Sequence, residues 1–408
     1  MKSAKTYFLC TDAIEHSFAL TEVQQAASYY AKVVVVLTKK TSFTLPANVE
    51  QLCVDFGNFK AATVLKKNKA LITSIVSADI LRRSFNFNYY KSSKQNLNYL
   101  LQAIHQADCI EAYIKRTKID ARESVFVSFW FNSWAIALAV LKKRKHISAF
   151  YSRAHGTDLF EYRVRKTKRI PFRKFQLKWV DMVFSVSKNG ENYLKLKYPR
   201  FAKKVSYAYL GTEDKGLNPF SESNQFTIVS CATVRNIKRI YLIPEILQHL
   251  NFAVKWIHLG DENLQAPDPT KERYLKNKKA LLAFPKITAE FPGNLSNDQI
   301  FEFYQTTPVN LFISVSETEG LPVSIMEAIS FGIPVMATDV GGCAEIACAQ
   351  TGSILPKKFN CSDVAKQITE FKESSKNNET FRKGVRLFWE KHFEVSSNYT
   401  QFFKSLQK

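Results

Sequence analysis

The sequence predicts an α/β protein with two doubly wound, Rossmann-like domains. At 408 residues the chain exceeds the roughly 250–300 residues at which a single hydrophobic core stops growing. Short apolar runs alternate with longer amphipathic stretches, which is typical of βα units around a parallel sheet. This rhythm occurs twice, on either side of a polar, turn-rich segment at residues 211–225. We therefore place one domain at residues 1–218 and a second at 219–389.

The first series of elements begins near the N-terminus. Apolar runs predict strands at residues 7–10, 33–38 and 125–129. Amphipathic stretches predict helices at residues 19–30 and 134–141. This half is therefore expected to form a parallel sheet with crossover helices.

The second series follows the turn-rich segment. Short apolar runs with helical patterns between most of them predict buried strands at residues 226–231, 255–259, 289–291, 310–315 and 334–338. A final helix at about 390–408 is expected to pack back on the first domain. The two domains are expected to face each other across a cleft.

The bulk composition indicates an ordinary globular protein without a cofactor. The seven cysteines are scattered, with neither a C-x-x-C pair nor the spacing of a zinc site. No acidic pair stands out as a site for a divalent cation, so we expect no metal. The N-terminus lacks the apolar segment of a secretory signal, and the longest apolar runs are far shorter than the ~20 residues of a membrane span. We expect a cytoplasmic protein.

The charge is distributed unevenly between the two halves. Residues 1–218 contain 37 Lys and Arg against 16 Asp and Glu, whereas the remainder contains 21 against 20. A basic half attracts anions such as phospholipid head groups, lipid pyrophosphates, acidic polysaccharide or nucleic acid. Composition alone does not choose among these partners.

The basic residues are densest at residues 163–178, where apolar residues such as Ile170, Phe172 and Leu177 are interleaved with cations. This pattern favours a segment lying on an anionic membrane surface, with an ordinary solvated helix as the alternative. Nucleic-acid binding is not favoured, since no recognisable module accompanies the charge. The predicted membrane or acceptor contacts, at the inner face of the cell membrane, are Arg165, Lys166, Lys168, Arg169, Arg173 and Lys174.

The stretch richest in chemistry is residues 310–356. Glu319 and Gly320 lie in a predicted strand-to-helix loop, Pro322 suits the first helical position, and Gly332 is placed to end the helix. Such a helix opens above the carboxyl edge of the sheet, where its N–H groups and positive dipole end suit a pyrophosphate. Glu327 follows Glu319 by eight residues, so one carboxylate could address a sugar while the other addresses a ribose.

This segment resembles the Glu-x7-Glu signature of family-4-type retaining glycosyltransferases, which have the GT-B fold. Residues 229–240 (VSCATVRNIKRI), 256–262 (WIHLGDE) and 291–298 (FPGNLSND) are similar to other donor-domain motifs of that family. Residues 153–163 (RAHGTDLFEYR) are similar to its acceptor-domain histidine motif. Within the family, these sequence motifs are most similar to those of bacterial exopolysaccharide enzymes of the amylovoran and colanic-acid kind.

The resemblance implies a nucleotide-sugar donor in the second domain and a glycan or lipid-pyrophosphate-linked acceptor in the first. It implies that His155 lies near the reacting carbon, that Glu319 holds the donor sugar and that Lys238 neutralises the departing pyrophosphate. The remaining residues implied in donor binding are Glu327, Gly320, Leu321, Val323, Ser324, Arg239, Arg235 and Asn294.

Three departures from the family pattern leave alternatives open. The usual arginine falls on Thr233, which makes Arg235 a substitute candidate, and Pro322 replaces a common glycine. The glycine-rich turn near the N-terminus is absent. A sugar-nucleotide epimerase or phosphorylase on the same plan, or a catalytically silent glycosyltransferase-like partner, are the competing interpretations.

Overall fold

The computed structural model describes residues 2–14, 17–80, 93–164, 169–221, 225–261 and 269–407. The chain divides into two compact units, one comprising Met1–Ala208 with Tyr399–Lys408 and the other Tyr209–Asn398. Each unit is built on one parallel sheet. The predicted α/β class with two doubly wound sheets is confirmed.

The first unit contains a seven-stranded sheet with strand order β3-β2-β1-β4-β5-β6-β7. Its central strands are buried over most of their length, as in the run of four valines in β2, because helices cover both faces of a parallel sheet. The strands are β1 (Ser3–Cys10), β2 (Tyr30–Leu37), β3 (Val49–Cys53), β4 (Val125–Ser128), β5 (Tyr151–Ala154), β6 (Met182–Ser185) and β7 (Val205–Tyr207).

Helices connect the strands of the first unit. They are α1 (Ser17–Tyr29), α2 (Ala61–Lys67), α3 (Lys69–Ile80), α4 (Ser93–Thr117), α5 (Ser133–Lys143), α6 (Arg173–Trp179) and α7 (Lys188–Lys197). Helix α5 is almost entirely buried, and Asn132 caps it by accepting a hydrogen bond from the Trp134 N–H. Strand β4, helix α5 and strand β5 thus form a βαβ unit with a parallel strand pair.

The basic segment differs from its prediction as an interfacial helix. Of the described residues in this basic segment, only those of Arg173–Trp179 are α-helical, and that helix is preceded by Phe172 in the left-handed region at φ 57°. Ile170, Phe172 and Leu177 are buried. Their side chains add to the core of the unit, so they do not form an apolar face for a membrane.

The second unit contains a six-stranded parallel sheet with strand order β10-β9-β8-β11-β12-β13. Five of its strands lie where the sequence predicts them. The strands are β8 (Phe226–Cys231), β9 (Val254–Leu259), β10 (Ile287–Gly293), β11 (Leu311–Ser314), β12 (Val335–Thr338) and β13 (Gly352–Leu355).

The helices of the second unit follow these strands. They are α8 (Leu242–Leu247), α9 (Pro269–Ala280), α10 (Asn297–Thr306), α11 (Val323–Ser330), α12 (Cys361–Glu373) and α13 (Glu379–His392). Helix α11 is the helix predicted after Glu319. It begins one residue later than expected, since Pro322 is the N-cap residue and Val323 the first helical residue. Gly332, at φ 73°, follows its end as predicted.

The last helix, α14 (Val395–Ser405), contributes its residues from Tyr399 onward to the first unit. There they cover a buried ion pair in which the Arg153 Nε lies 2.6 Å from a Glu22 carboxylate oxygen. The Arg153 guanidinium also stacks on Phe402, with 3.7 Å to the ring centroid. A buried charge needs such partners to offset its lost hydration, so this terminal segment is part of the first unit's core.

No helix in the described parts of the chain combines the length and apolar character required to cross a membrane.

Candidate functional site

The candidate site lies at the switch point of the second sheet. The strand order reverses between β8 and β11, and open α/β sheets bind ligands outside the carboxyl ends of strands at such a point. The loop after β8 carries Arg235, Lys238 and Arg239, and the loop after β11 carries Glu319 and Gly320. Two segments far apart in sequence therefore converge on one sheet edge.

Lys238 and Glu319 form an ion pair at this edge. The Lys238 ammonium donates a hydrogen bond of 2.6 Å to a Glu319 carboxylate oxygen. Glu319 is 9% exposed, whereas the Lys238 side chain is 28% exposed. The lysine comes from a short 3-10 helix, Asn236–Lys238, which is held to the other loop because the Glu317 N–H donates to the Ile237 carbonyl. Both groups are thus fixed before any ligand binds.

Arg239 holds the two loops together. Its guanidinium donates to the backbone carbonyls of Val315, Ser316 and Lys357, at 2.6, 3.1 and 3.0 Å respectively. Its backbone lies in the left-handed region at φ 49°, so the chain turns sharply after Lys238. Its guanidinium nitrogens are therefore engaged with the protein, and Arg239 positions the loops that carry Lys238 and Glu319.

Helix α11 opens beside this ion pair. Its N-cap, Pro322, makes no side-chain capping bond, and the first intrahelical bond runs from Met326 to Pro322. The Val323 and Ser324 N–H groups precede that bond, and both residues are partly exposed. The unpaired amides and the dipole of a helix N-terminus attract anions.

The turn at Gly341 packs directly against the backbone of Glu319 and Gly320. Gly341 has φ 58°, and a Cβ there would lie 2.0 Å from the Glu319 carbonyl oxygen. The next residue, Gly342, donates its N–H to the Gly320 carbonyl at 2.7 Å. This close approach requires glycine and fixes the loop that carries Glu319.

Glu327 lies on α11 and is only 5% exposed. Burial raises the pKa of its carboxyl to about 7, and a hydrogen bond with Asn297 opposes that rise. At neutral pH the group is therefore poised between its protonated and ionised forms. Glu327 also affects Cys231 at the end of β8, since burial followed by the negative field of Glu327 raises the pKa of that thiol to about 12.

Asn297 is a residue that sequence reasoning missed, although the surrounding segment was recognised. It is the first residue of α10, which Ser296 and Gln299 begin with a reciprocal capping box. The S-x-x-Q pattern in the sequence marks this helix start. That pattern could have placed Asn297 in the first turn, at the carboxyl edge of β10.

The other predicted donor-binding residues lie in loops at the same edge. Arg235 is exposed and precedes the 3-10 helix of Lys238, and Asn294 is exposed directly after β10. Leu321 is buried, while Gly320 is partly exposed. Their assignment to donor binding stays a prediction.

His155 directly follows β5 in the first unit and is 7% exposed. Its ring packs against Trp130, with 4.3 Å between ring centroids, and its backbone N–H donates to the Asp158 side-chain carboxylate at 2.8 Å. Both ring nitrogens are buried; Nδ1 lies 3.8 Å from an Asp158 carboxylate oxygen, beyond hydrogen-bond distance, and Nε2 has no hydrogen-bond partner among the described residues. Because an unpaired buried polar group costs free energy, this imidazole is typical of residues kept for binding or catalysis.

The predicted basic surface divides into buried and exposed residues. Arg173 is 1% exposed, and its guanidinium donates to the Phe131 and Asp158 carbonyls, so its side chain does not lie on a surface. This burial corrects its placement among the membrane contacts. Arg169 and Lys174 are exposed. Arg165, Lys166 and Lys168 lie outside the described residues.

In the described parts of the chain, no group of three or more His, Cys, Asp or Glu is arranged to hold a metal ion.

Curated glycosyltransferases match short parts of the chain, and two of them are compared with it. The sulfoquinovosyl transferase SQD2 of Arabidopsis thaliana is 31% identical over 97 residues, which is 24% of this chain and 19% of that protein. The O-antigen biosynthesis glycosyltransferase WbnH of Escherichia coli is 42% identical over 56 residues, or 14% of this chain and 15% of that protein. The chain therefore aligns with less than a fifth of the length of either relative.

The fold as a whole is shared with solved structures. Anabaena HepE, solved in complex with UDP-glucose, is similar with a TM-score of 0.68 at 14% identity, covering 98% of this chain and 99% of that chain. The second unit also matches a sequence family, described as glycosyl transferases group 1, at residues 222–388. The second unit is therefore similar to the glycosyl transferases group 1 family, and the chain as a whole has the GT-B fold.

Proposed function

We propose that this chain is a glycosyltransferase that moves a sugar from a nucleotide-sugar donor onto a glycan or lipid-pyrophosphate-linked acceptor. The observation that carries the proposal is the Lys238–Glu319 pair beside the N-terminus of α11. A cation, a carboxylate and helix amides at one sheet edge match the phosphates and hydroxyls of such a donor. The similarity to HepE, solved with UDP-glucose, supports the donor class.

The residues of the second unit have distinct roles in this proposal. Glu319 accepts hydrogen bonds from the donor sugar, and Glu327 accepts them from the ribose. The N–H groups of Gly320, Leu321, Val323 and Ser324 are the donors available to the pyrophosphate, because Pro322 has none. Arg235 and Asn294 line the phosphate and base sides. For His155, in the first unit, the role near the reacting carbon stays a prediction from the family resemblance.

The leaving group explains why Lys238 is needed. When the bond from the sugar to the pyrophosphate breaks, negative charge grows on the phosphate oxygens, and a preorganised cation stabilises that charge. An ammonium group has three N–H donors, so Lys238 can keep its contact with Glu319 while it contacts a phosphate. The dipole of α11 adds to the same effect, and together they replace a divalent metal ion.

The acceptor, the stereochemistry and the cellular setting are inferred from the family resemblance and the relatives. The family-4 resemblance favours retention of configuration. The similarity to WbnH, an O-antigen biosynthesis glycosyltransferase, favours exopolysaccharide, capsule or lipopolysaccharide assembly. We place the reaction in the cytoplasm, at the inner face of the cell membrane.

The proposal is tested by substituting Lys238 and Glu319 one at a time. A thermal-shift screen of nucleotides and nucleotide sugars first identifies the donor, because a ligand of the folded state raises its melting temperature. Glu319→Gln is then expected to lower transfer by roughly a hundredfold or more while nucleoside diphosphate still binds. Lys238→Met is expected to weaken nucleoside diphosphate binding by about tenfold or more.

A second ion pair in the same unit supplies the control. Lys255 and Glu290 lie 2.7 Å apart on β9 and β10, and Lys255→Met or Glu290→Gln should leave both measurements unchanged. Transfer should persist in EDTA, and NMR of the product should show the donor's anomeric configuration. If no nucleotide sugar binds or reacts, the chain is a silent partner and the proposal is wrong.

A further inference from the structure

Helix α13 of the second unit is buried along one face and exposed along the other. Its buried residues are Arg382, Val385 and Trp389, at the three- and four-residue spacing of a single helix face. On the exposed face, Leu387 has 63% of its surface accessible. A single exposed leucine is normal on a protein surface, so the surroundings of Leu387 decide whether this face is a contact surface.

Leu387 lies between two cavities in the surface of the second unit. The cavities have volumes of about 580 and 450 Å³, and Leu387 belongs to the lining of both. The other large apolar side chains in the two linings are Leu217, Pro219, Phe220, Phe331, Phe381 and Phe388. Leu217 is itself 57% exposed. The leucines and the cavities therefore form one continuous apolar surface, which is typical of a protein contact site.

A notch in α13 lies next to Leu387 on the same face. Gly384 is exposed, and no atom outside its own helix lies within 4 Å of the position that its Cβ would occupy. Residues three apart in a helix are neighbours on its surface, so the projecting Leu387 and the open Gly384 lie side by side. A two-fold axis can place the projection of each copy against the notch of the other. The shape of this face thus suits a second copy of itself.

The charges along α13 also suit a second copy. The exposed Glu379 lies in its first turn, and the exposed Lys391 lies in its last turn beside His392. If two α13 helices pack antiparallel about an axis between Gly384 and Leu387, residue 379 of one copy lies opposite residues 391–392 of the other. A carboxylate then faces a cation at both ends of the contact.

The net charge of the chain favours the second unit for self-association. The whole chain has a formal charge of +22, so two copies repel each other overall. Residues 219–408, which include α13, contain 21 Lys and Arg against 20 Asp and Glu. Two copies that meet through this half therefore bring the least like charge together.

We propose that the exposed face of α13, with the cavity on each side of Leu387, is the contact surface between two copies of this chain. Leu387 of each copy packs over Gly384 of the other, and the contact covers the apolar linings of both cavities. One helix face is a small interface, so the dimer is reversible. The inference is independent of the proposed function.

The proposal is tested by analytical ultracentrifugation of the full chain over a range of concentrations. A dimer should form with a Kd of roughly 10–100 µM, as expected for a small interface. Leu387→Asp should raise that Kd by about tenfold or more, because a carboxylate would be buried without a partner. Leu282→Asp is the matched control, since Leu282 is an exposed leucine of the same unit outside both cavities, and it should dimerise like the wild type. Thermal melts of both variants check that each is folded.

Charge reversal distinguishes a second copy from any other occupant of this face. Glu379→Lys and Lys391→Glu should each weaken self-association by about threefold to tenfold, because like charges then meet at both ends of the contact. An equimolar mixture of the two variants should recover dimers, since a lysine again faces a glutamate at both ends of the mixed dimer. The proposal is overturned if the wild type stays monomeric at every concentration, if Leu387→Asp dimerises equally, or if the mixture associates no better than its components.

Discussion

The side chains at the carboxyl edge of each sheet do not follow the net charge of the half of the chain that contains it. The edge of the second unit offers a lysine, a carboxylate and the N-terminus of α11, although residues 219–408 are nearly neutral overall. The corresponding edge of the first unit offers carboxylates and aromatic rings within a strongly basic half. Net charge therefore describes which partners a domain attracts, while a few fixed side chains decide what its site binds.

The two edges also differ in how they are held. At the second edge, Arg239 and the turn at Gly341 fix the loops through backbone contacts. At the first edge, side chains fix one another, as Trp134 and Asn132 hold Asp12. The second site should therefore be sensitive to changes that displace backbone, and the first to changes of hydrogen-bonding groups.

The largest expected effect comes from Gly341→Ala. A Cβ at φ 58° would be strained and would lie 2.0 Å from the Glu319 carbonyl oxygen, so the loop must move. We expect a loss of about 2 kcal/mol or more, a fall in melting temperature of roughly 5 °C, and loss of nucleotide binding. A thermal melt with and without nucleotide checks both.

Gly384→Ala provides the matched control for that prediction. Gly384 lies within α13, and no atom outside its own helix lies within 4 Å of the position of its Cβ. Alanine is the better helix former, so this variant should be at least as stable as the wild type. A Gly341→Ala protein that melts and binds like the wild type would show that the close approach does not position Glu319.

Local patterns predicted the strands, and longer-range features needed the structure. Apolar runs such as residues 33–38 identify a buried strand because a parallel strand is covered on both faces. The pairing of β1 with β4 joins residues more than a hundred positions apart, and no local pattern encodes it. Likewise, only the family resemblance indicated that Lys238 and Glu319 belong to one site, since 81 residues separate them in the sequence.

The prediction that was wrong concerned which way the side chains of the basic segment face. Charge density around Arg173 suggested a surface, yet this side chain is buried and donates to the backbone carbonyls of Phe131 and Asp158. A guanidinium has several N–H donors, so one buried arginine can hydrogen-bond to several backbone carbonyls.

The next largest expected effect is a dependence of nucleotide affinity on pH. Burial raises the pKa of Glu327 to about 7, so the carboxylate that we propose for the ribose hydroxyls forms mostly as the pH rises past that value. Nucleotide affinity should therefore strengthen by roughly tenfold from pH 6 to pH 8, which is the change expected for one ionisation near pH 7. Titration calorimetry at several pH values measures this slope.

Two comparisons isolate Glu327 as the cause. Glu327→Gln cannot ionise, so its nucleotide affinity should be weaker at pH 8 and nearly independent of pH. Ionisation also opposes folding here: the unfolded chain loses this proton near its ordinary pKa, whereas the folded chain keeps it up to about pH 7. As the pH rises between those two values, the free energy of unfolding should therefore fall in the wild type and not in Glu327→Gln. An unchanged pH slope in Glu327→Gln would assign the titration to another group.

The smallest expected effect tests whether the basic half meets a membrane. Lys174 is exposed on α6, directly after the buried Arg173, so it is a surface cation that can be removed without touching the core. Near an anionic bilayer one such charge contributes on the order of 1 kcal/mol, so Lys174→Gln should weaken vesicle binding by up to about fivefold. Lys276→Gln, an exposed lysine on α9 of the second unit, should have no effect. Co-sedimentation with phosphatidylglycerol vesicles at two salt concentrations measures both, since salt screens an electrostatic contact. If the wild type does not bind these vesicles, or if both variants lose binding equally, the charge of the first half serves another anion and the membrane placement is wrong.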